Sequence, residues 1–132
     1  MTTERKIYVN NDLDIVVTRM QVREMAKQMG FGITDQARIS LAASELARFL
    51  CWHTPRPGEI TLSCASKNGQ RGVQVTCSIK LEHLPQDNAS SGVPDISGLG
   101  RSLAGARQLV DDSTIEAPDH KQARVTLRQW LS

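Results

Sequence analysis

The feature that most constrains this chain is a pair of alternating runs joined by Asn68–Gly69. Ile60, Leu62 and Cys64 recur every second residue between Glu59 and Ala65. Val73, Val75, Cys77, Ile79 and Leu81 do the same between Val73 and Leu81. A period of two puts each set on one face of a pleated strand. Asn-Gly accepts the left-handed backbone of a tight hairpin turn. The two runs therefore predict an antiparallel hairpin with one apolar face, and that face needs a second layer to cover it.

Helical patterns supply the cover. Asp12 and Asp14 precede a helix-like stretch reaching about Met29, in which Val16, Met20 and Met25, with Val17, Ala26 and Met29, recur at helical spacing. Asp12 and Asp14 suit the positive end of the helix dipole, and Gly30 and Gly32 suit its end. Thr34 reads as the N-cap of a second helix running from about Asp35 to Trp52, stopped by Pro55 and Pro57. Ile39, Ala43, Leu46 and Leu50 share one of its faces; Leu41, Glu45, Phe49 and Trp52 share the next. Phe49 and Trp52 are expected to be buried. A third helix is predicted over about Leu99 to Val110, with Leu103, Ala106 and Leu109 as its stripe. Short strands are predicted at about 5–10, 113–116 and 122–130, the last two joined by Ala117-Pro118-Asp119-His120. Residues 82–97, rich in Pro, Asn, Asp, Ser and Gly, read as a long loop. Neighbouring strands with short links argue for a two-layer α+β sandwich. Its sheet would be mixed and mainly antiparallel, covered on one face by three helices, in a single domain over 1–132.

Composition sets outer bounds. A hydrophobic fraction of 39% over 132 residues is enough for a core. Aromatics make up only 4%, so aliphatic side chains and alanine must fill it. A net charge of +2 with no interleaving of basic and aromatic residues argues against nucleic acid as partner. No apolar run reaches the length of a membrane span or a signal peptide, so the cytoplasm is the expected location. Cys51, Cys64 and Cys77 fit no zinc spacing and read as small buried hydrophobes; no metal site is expected from them. Arg19, Arg23 and Lys27, four apart, read as a solvated helix face.

Three segments carry a resemblance. They are Asp14-Ile15-Val16-Val17 through Gly30-Phe31-Gly32; Gln36-Ala37-Arg38-Ile39 leading into Ala43-Ser44-Glu45-Leu46-Ala47-Arg48; and Gly98-Leu99-Gly100-Arg101-Ser102 running on to Asp112. Together they resemble the serine/threonine switch kinases and anti-sigma factors of the GHKL ATP-binding superfamily, over roughly residues 5 to 131. In that family the second helix carries a Glu that orients or deprotonates the attacking group and, four residues on, an Asn that holds Mg²⁺. Here Glu45 matches the first and Phe49 replaces the second. A phenyl ring offers no oxygen to a hard cation. Glu45 is thus either a retained base or a surface acid paired with Arg38 or Arg48.

The family's Asp-x-Gly-x-Gly motif aligns in two ways. Directly after the strand, Ile79, Leu81 and His83 take its places; with an insertion, Asp87 or Asn88 stands for the Asp and Gly92 for a glycine. Gly98 and Gly100, at the third helix, match the phosphate-binding turn, and Arg101 and Ser102 follow where the family has small residues. Arg101 either binds a phosphate or blocks the pocket. The resemblance implies nucleotide-binding positions at Arg48, Phe49, Asp87, Gly92, Gly98, Gly100, Arg101 and Ser102, all degenerate, with ATP and Mg²⁺ as the cofactor in question. It further implies a regulator that associates with a STAS-domain antagonist or a sigma factor. Against this stands an active serine/threonine kinase with Glu45 as base. Homodimerisation is left open.

Overall fold

In a computed structural model the described residues are 4–83 and 96–131. They form β1 (Glu4–Val9), α1 (Asp12–Gln28), α2 (Ile33–His53), β2 (Gly58–Lys67), β3 (Gln70–Lys80), a 3₁₀ turn (Leu81–His83), α3 (Ser97–Ser102), α4 (Ala104–Leu109), β4 (Asp112–Glu116) and β5 (Gln122–Trp130). The strands make one sheet in the order β1-β2-β3-β5-β4. Every pairing is antiparallel, so the sheet is not mixed. The β2–β3 and β4–β5 links are turns too short for a crossover in which two strands run the same way, and β1 is joined to β2 through the α1–α2 helical hairpin.

The hairpin forms as its pattern requires. Asn68 at φ 53° and Gly69 at φ 80° turn the chain between Lys67 and Gln70, which pair with each other. Ile60 faces Cys77, and Val75 faces Leu127 on the far side. These residues are buried and meet Ile39, Ala43, Leu46 and Leu50 of α2 in one core. The other sheet face is polar. There Thr76 lies opposite both Thr61 and Thr126, and its hydroxyl is buried with no hydrogen-bond partner among the described residues.

α1 and α2 form a tight helical hairpin. The Asn11 side chain accepts from the Asp14 N–H and starts α1. At its end the Gly30 N–H bonds the Lys27 carbonyl and the Phe31 N–H the Ala26 carbonyl, with Gly30 at φ 96°. This double bond pattern closes the helix around a left-handed glycine. Phe31 is driven into the core, and the Gln36 side chain donates to its carbonyl at 2.7 Å.

Several sequence expectations are corrected. Gly32, not Thr34, precedes the first turn of α2, because the compact Gly30–Gly32 turn leaves no residues before the helix must restart. The inward stripe of α1 is Ile15, Thr18, Val22, Met25 and Ala26, whereas Val16 and Met20 face solvent. The choice of Val16 over Thr18 misphased the helix: the Thr18 hydroxyl bonds the Asp14 carbonyl at 2.8 Å and is tolerated inside. The expected third helix is two short ones, giving four helices among the described residues, broken at Leu103 (φ −103°, ψ 12°). Gly98, Gly100 and Gly105 lower helix propensity around this break. Trp52 is 64% exposed rather than buried, since it lies with Arg48 on the outward face of α2 while Leu50 and Cys51 beside it face the core. Among the described residues no helix is long and apolar enough to cross a membrane.

Candidate functional site

The site residues named from sequence fall on two elements. The first is the C-terminal half of α2. Leu46 and Leu50 point into the core and fix the rotation of the helix. Glu45 and Arg48 are thereby left half-exposed, and Arg48 binds the Glu45 carboxylate at 2.7 Å. The Arg48 guanidinium also lies over the Trp52 ring, 5.9 Å from its centroid. Phe49 is turned inward, 5% exposed, its ring centroid 4.9 Å from that of His53. Glu45 is therefore held by its own helix, and of the two arginines open to it Arg48 is the partner. Arg38 instead donates to the carbonyls of Leu109 and Gln108, capping the C-terminal end of α4. That contact docks α4 on α2. Spacing gave no signal for it, because the partner atoms belong to the backbone.

The second element is α3. Gly98 lies in its first turn, and the Gly100 N–H is already bonded to the Ile96 carbonyl at 3.2 Å. Arg101 and Ser102 are exposed at its end. Asp87, Asn88 and Gly92 lie outside the described residues. Of the alternative set, Ile79 is buried in β3 opposite Ala123, Leu81 is buried in the 3₁₀ turn, and His83 lies 3.7 Å from Glu82. Ile79 and Leu81 are core residues whose side chains have no polar atom to offer an adenine.

The surface beside α3 holds a cleft of about 850 Å³ between α3–α4 and β4. Ile96, Ala104 and Ile115 line it with apolar surface, and Arg101, Arg107 and Ser113 bring polar groups to it. The Arg107 Nε donates to the Ser113 hydroxyl at 3.0 Å, tying helix to strand. Gly100 keeps this wall low: a Cβ there would come within 3.3 Å of the Arg107 guanidinium and 3.9 Å of Ile115. Gly100 and Arg101 were legible from sequence; Arg107, Ser113 and Ile115 were not, because only the fold brings β4 beside them.

The side chains at the family's Glu and Asn positions do not fit a magnesium ion. The ring of Phe49 supplies no ligand oxygen, and the Glu45 carboxylate is engaged with Arg48. Among the described residues no group of three or more His, Cys, Asp or Glu side chains is placed to hold a metal ion. Cys51 and Cys77 are buried, and Cys64 is half-buried with its sulfur 3.7 Å from that of Met29. Burial pushes the Cys77 thiol up to about 12, against a small opposing pull from its hydrogen bond with the Val125 backbone. An uncharged thiol in that position is a packing group, not a nucleophile.

Serine/threonine-protein kinase RsbT of Bacillus subtilis (strain 168) is 28% identical to this chain over 133 residues, which is 99% of each protein. The chain resembles a switch kinase from end to end. No family model matches the sequence. Among solved structures, a chain in the crystal structure of the SiaB–SiaC complex from Pseudomonas aeruginosa is similar with a TM-score of 0.50, covering 99% of this chain and 89% of that one. At 12% identity this likeness shows the fold, an α+β layer pair of the same kind. The three segments that carry the resemblance thus sit in a chain that aligns with RsbT along its whole length.

Proposed function

We propose that this chain is a regulator of the switch-kinase type that works by associating with a protein partner, a STAS-domain antagonist or a sigma factor, with ATP binding weakened or lost. One observation carries the proposal. The side chain at the family's magnesium-holding position is a phenyl ring buried against His53, inside a framework that otherwise aligns with a kinase along its whole length. Core packing has taken over the place where a metal-bound phosphate needs oxygen and water. The self-contained Glu45–Arg48 pair points the same way, since a general base must be free to reach its proton. Calorimetry with MgATP tests the proposal. No heat of binding is expected at submillimolar nucleotide, and micromolar affinity contradicts it.

The likeness to a protein named as a serine/threonine kinase favours a second reading, an active ATP-dependent kinase. Glu45 would then be the base and Arg48 or Arg101 would offset phosphate charge in part. Radiolabel transfer from ATP to a STAS-domain protein, lost in Glu45→Ala, would decide for this reading.

A further inference from the structure

α1 carries a second apolar stripe that the core does not use. Leu13, Val16 and Met20 are 69%, 44% and 64% exposed, and half-buried Val17 lies beside them. At spacings of three and four they share one helix face. The core stripe of Ile15, Thr18, Val22, Met25 and Ala26 lies on the other side, centred about 180° away at about 100° per residue. A contiguous outward apolar patch of this kind marks an interaction surface. On α2 the exposed Leu41 and Trp52 stand about three turns apart with the Glu45–Arg48 pair between them, so they form no such patch.

The charges beside the stripe name its occupant. Asp12, Arg19 and Arg23 are exposed along one flank, and none of them is in an ion pair among the described residues. We infer that the stripe packs antiparallel against the same stripe of a second copy of this chain. A two-fold axis between antiparallel helices sets each flank against its own copy. With the axis midway between Val16 and Val17, the centre of the stripe, Leu13 faces Met20 of the second copy. At 1.5 Å of rise per residue, Asp12 then lies about 7 Å along the helix from the axis. Arg19 and Arg23 of the second copy lie about 4 and 10 Å from it on the same side. Each Asp12 therefore falls between two arginines, and the symmetry repeats the contact. A parallel pair would instead set the acidic first turns, Asp12 and Asp14, beside each other. Antiparallel helix dipoles favour the same arrangement. Glu24 and Lys27 lie past the first turn of the second helix and take no part in this register. Four apolar side chains per copy bury less than a permanent dimer needs. The pair is therefore weak, with a dissociation constant of about 10–100 µM. The inference goes beyond the association reading, which rests on α2, and MgATP calorimetry does not bear on it.

Sedimentation equilibrium of the full chain from about 5 to 500 µM tests it. The mean mass should climb with concentration toward twice that of the monomer, less steeply at high salt. Asp12→Arg and the double variant Arg19→Asp/Arg23→Asp should each weaken the dimer about tenfold, and Met20→Glu at least as much. An equimolar mixture of the two charge variants should recover the association of the unsubstituted chain, because a mixed pair restores opposite signs at both contacts. A chain still monomeric at about 500 µM, a dimer indifferent to Met20→Glu, or a mixture no tighter than its components would overturn the inference. So would another protein binding the stripe of a chain that stays monomeric. All the substituted positions are exposed, and far-UV circular dichroism checks that the variants fold. Should one fail, dilution of the ¹⁵N-labelled unsubstituted chain still decides. Its amides over 12–23 are expected to move with concentration, and movement confined to β4 or the open sheet face would count against the pairing.

Discussion

Replacing Phe49 by the amide of the family pattern, Phe49→Asn, should destabilise the fold severely rather than repair its site. The ring is 5% exposed and stacks on His53 with centroids 4.9 Å apart. Truncating a buried phenylalanine costs about 3–5 kcal/mol. The tilted stack accounts for about 0.5–1.5 kcal/mol of that. A carboxamide left without partners in the same space adds about 1–3 kcal/mol of desolvation. Domains of this size hold only about 5–15 kcal/mol in all, so a loss of about 4 kcal/mol is severe. With a urea slope of about 2 kcal/mol per molar, the unfolding midpoint should fall by about 2 M with the slope unchanged. Phe49→Leu, which keeps an apolar body there, should lose less than half as much. Urea denaturation followed by far-UV circular dichroism measures both. A midpoint shift of the Asn variant below about 0.5 M would refute the reasoning, because it would mean the ring contributes no packing and the position is open to a ligand.

Other positions give independent readings. Thr76→Val removes a buried hydroxyl that has no partner among the described residues, and should raise stability by about 1 kcal/mol in the same denaturation assay; destabilisation would reveal a bond to that hydroxyl. Gly72→Ala would push a methyl group into the Gln129 carbonyl and the Trp130 ring at the end of the β3–β5 ladder, costing about 1–3 kcal/mol, with thermal unfolding as the measure. Cys77 holds its proton more tightly folded, to about 12, than at its ordinary 9.0, so its contribution is intact below pH 9.0 and is lost as pH rises through that window. Stability should therefore fall by about 1.4 kcal/mol per pH unit there on this account, and Cys77→Ala should show a flatter alkaline profile than the unsubstituted protein.

The sheet was legible because its signals are local and redundant. Asn68–Gly69 allows two consecutive left-handed residues, and the flanking alternation fixes which face is buried, so turn chemistry and core agree on one register. The helices were less legible where a polar residue lies inside. Thr18 and Gln36 are both buried and both satisfy backbone carbonyls, Thr18 that of Asp14 and Gln36 that of Phe31. Equating inside with apolar shifts the expected stripe of α1 toward Val16 and Met20, which are exposed. The break at Leu103 was hidden for another reason. Its stripe of Leu99, Leu103 and Ala106 is buried as a continuous helix would bury it, and the Arg107 N–H still reaches the Leu103 carbonyl at 3.0 Å. The pattern of burial survives a kink that the pattern alone cannot report.

The site divides along the same line. The sequence could say that residue 49 is aromatic, and chemistry could say that an aromatic ring does not bind magnesium. Whether the ring fills the vacated place or swings away depends on the rotation of α2. That rotation is set by residues remote from the motif: Leu46 and Leu50 against the sheet, and Arg38 holding the end of α4. The same holds for the β4 cleft, where Arg107 and Ser113 are six residues apart and meet only because the chain turns sharply after α4 to start an edge strand. Motif spacing reports side chains that share one element, such as Glu45 and Arg48. It is silent on pairs formed across elements, and in this chain those pairs decide which surface is left for a partner.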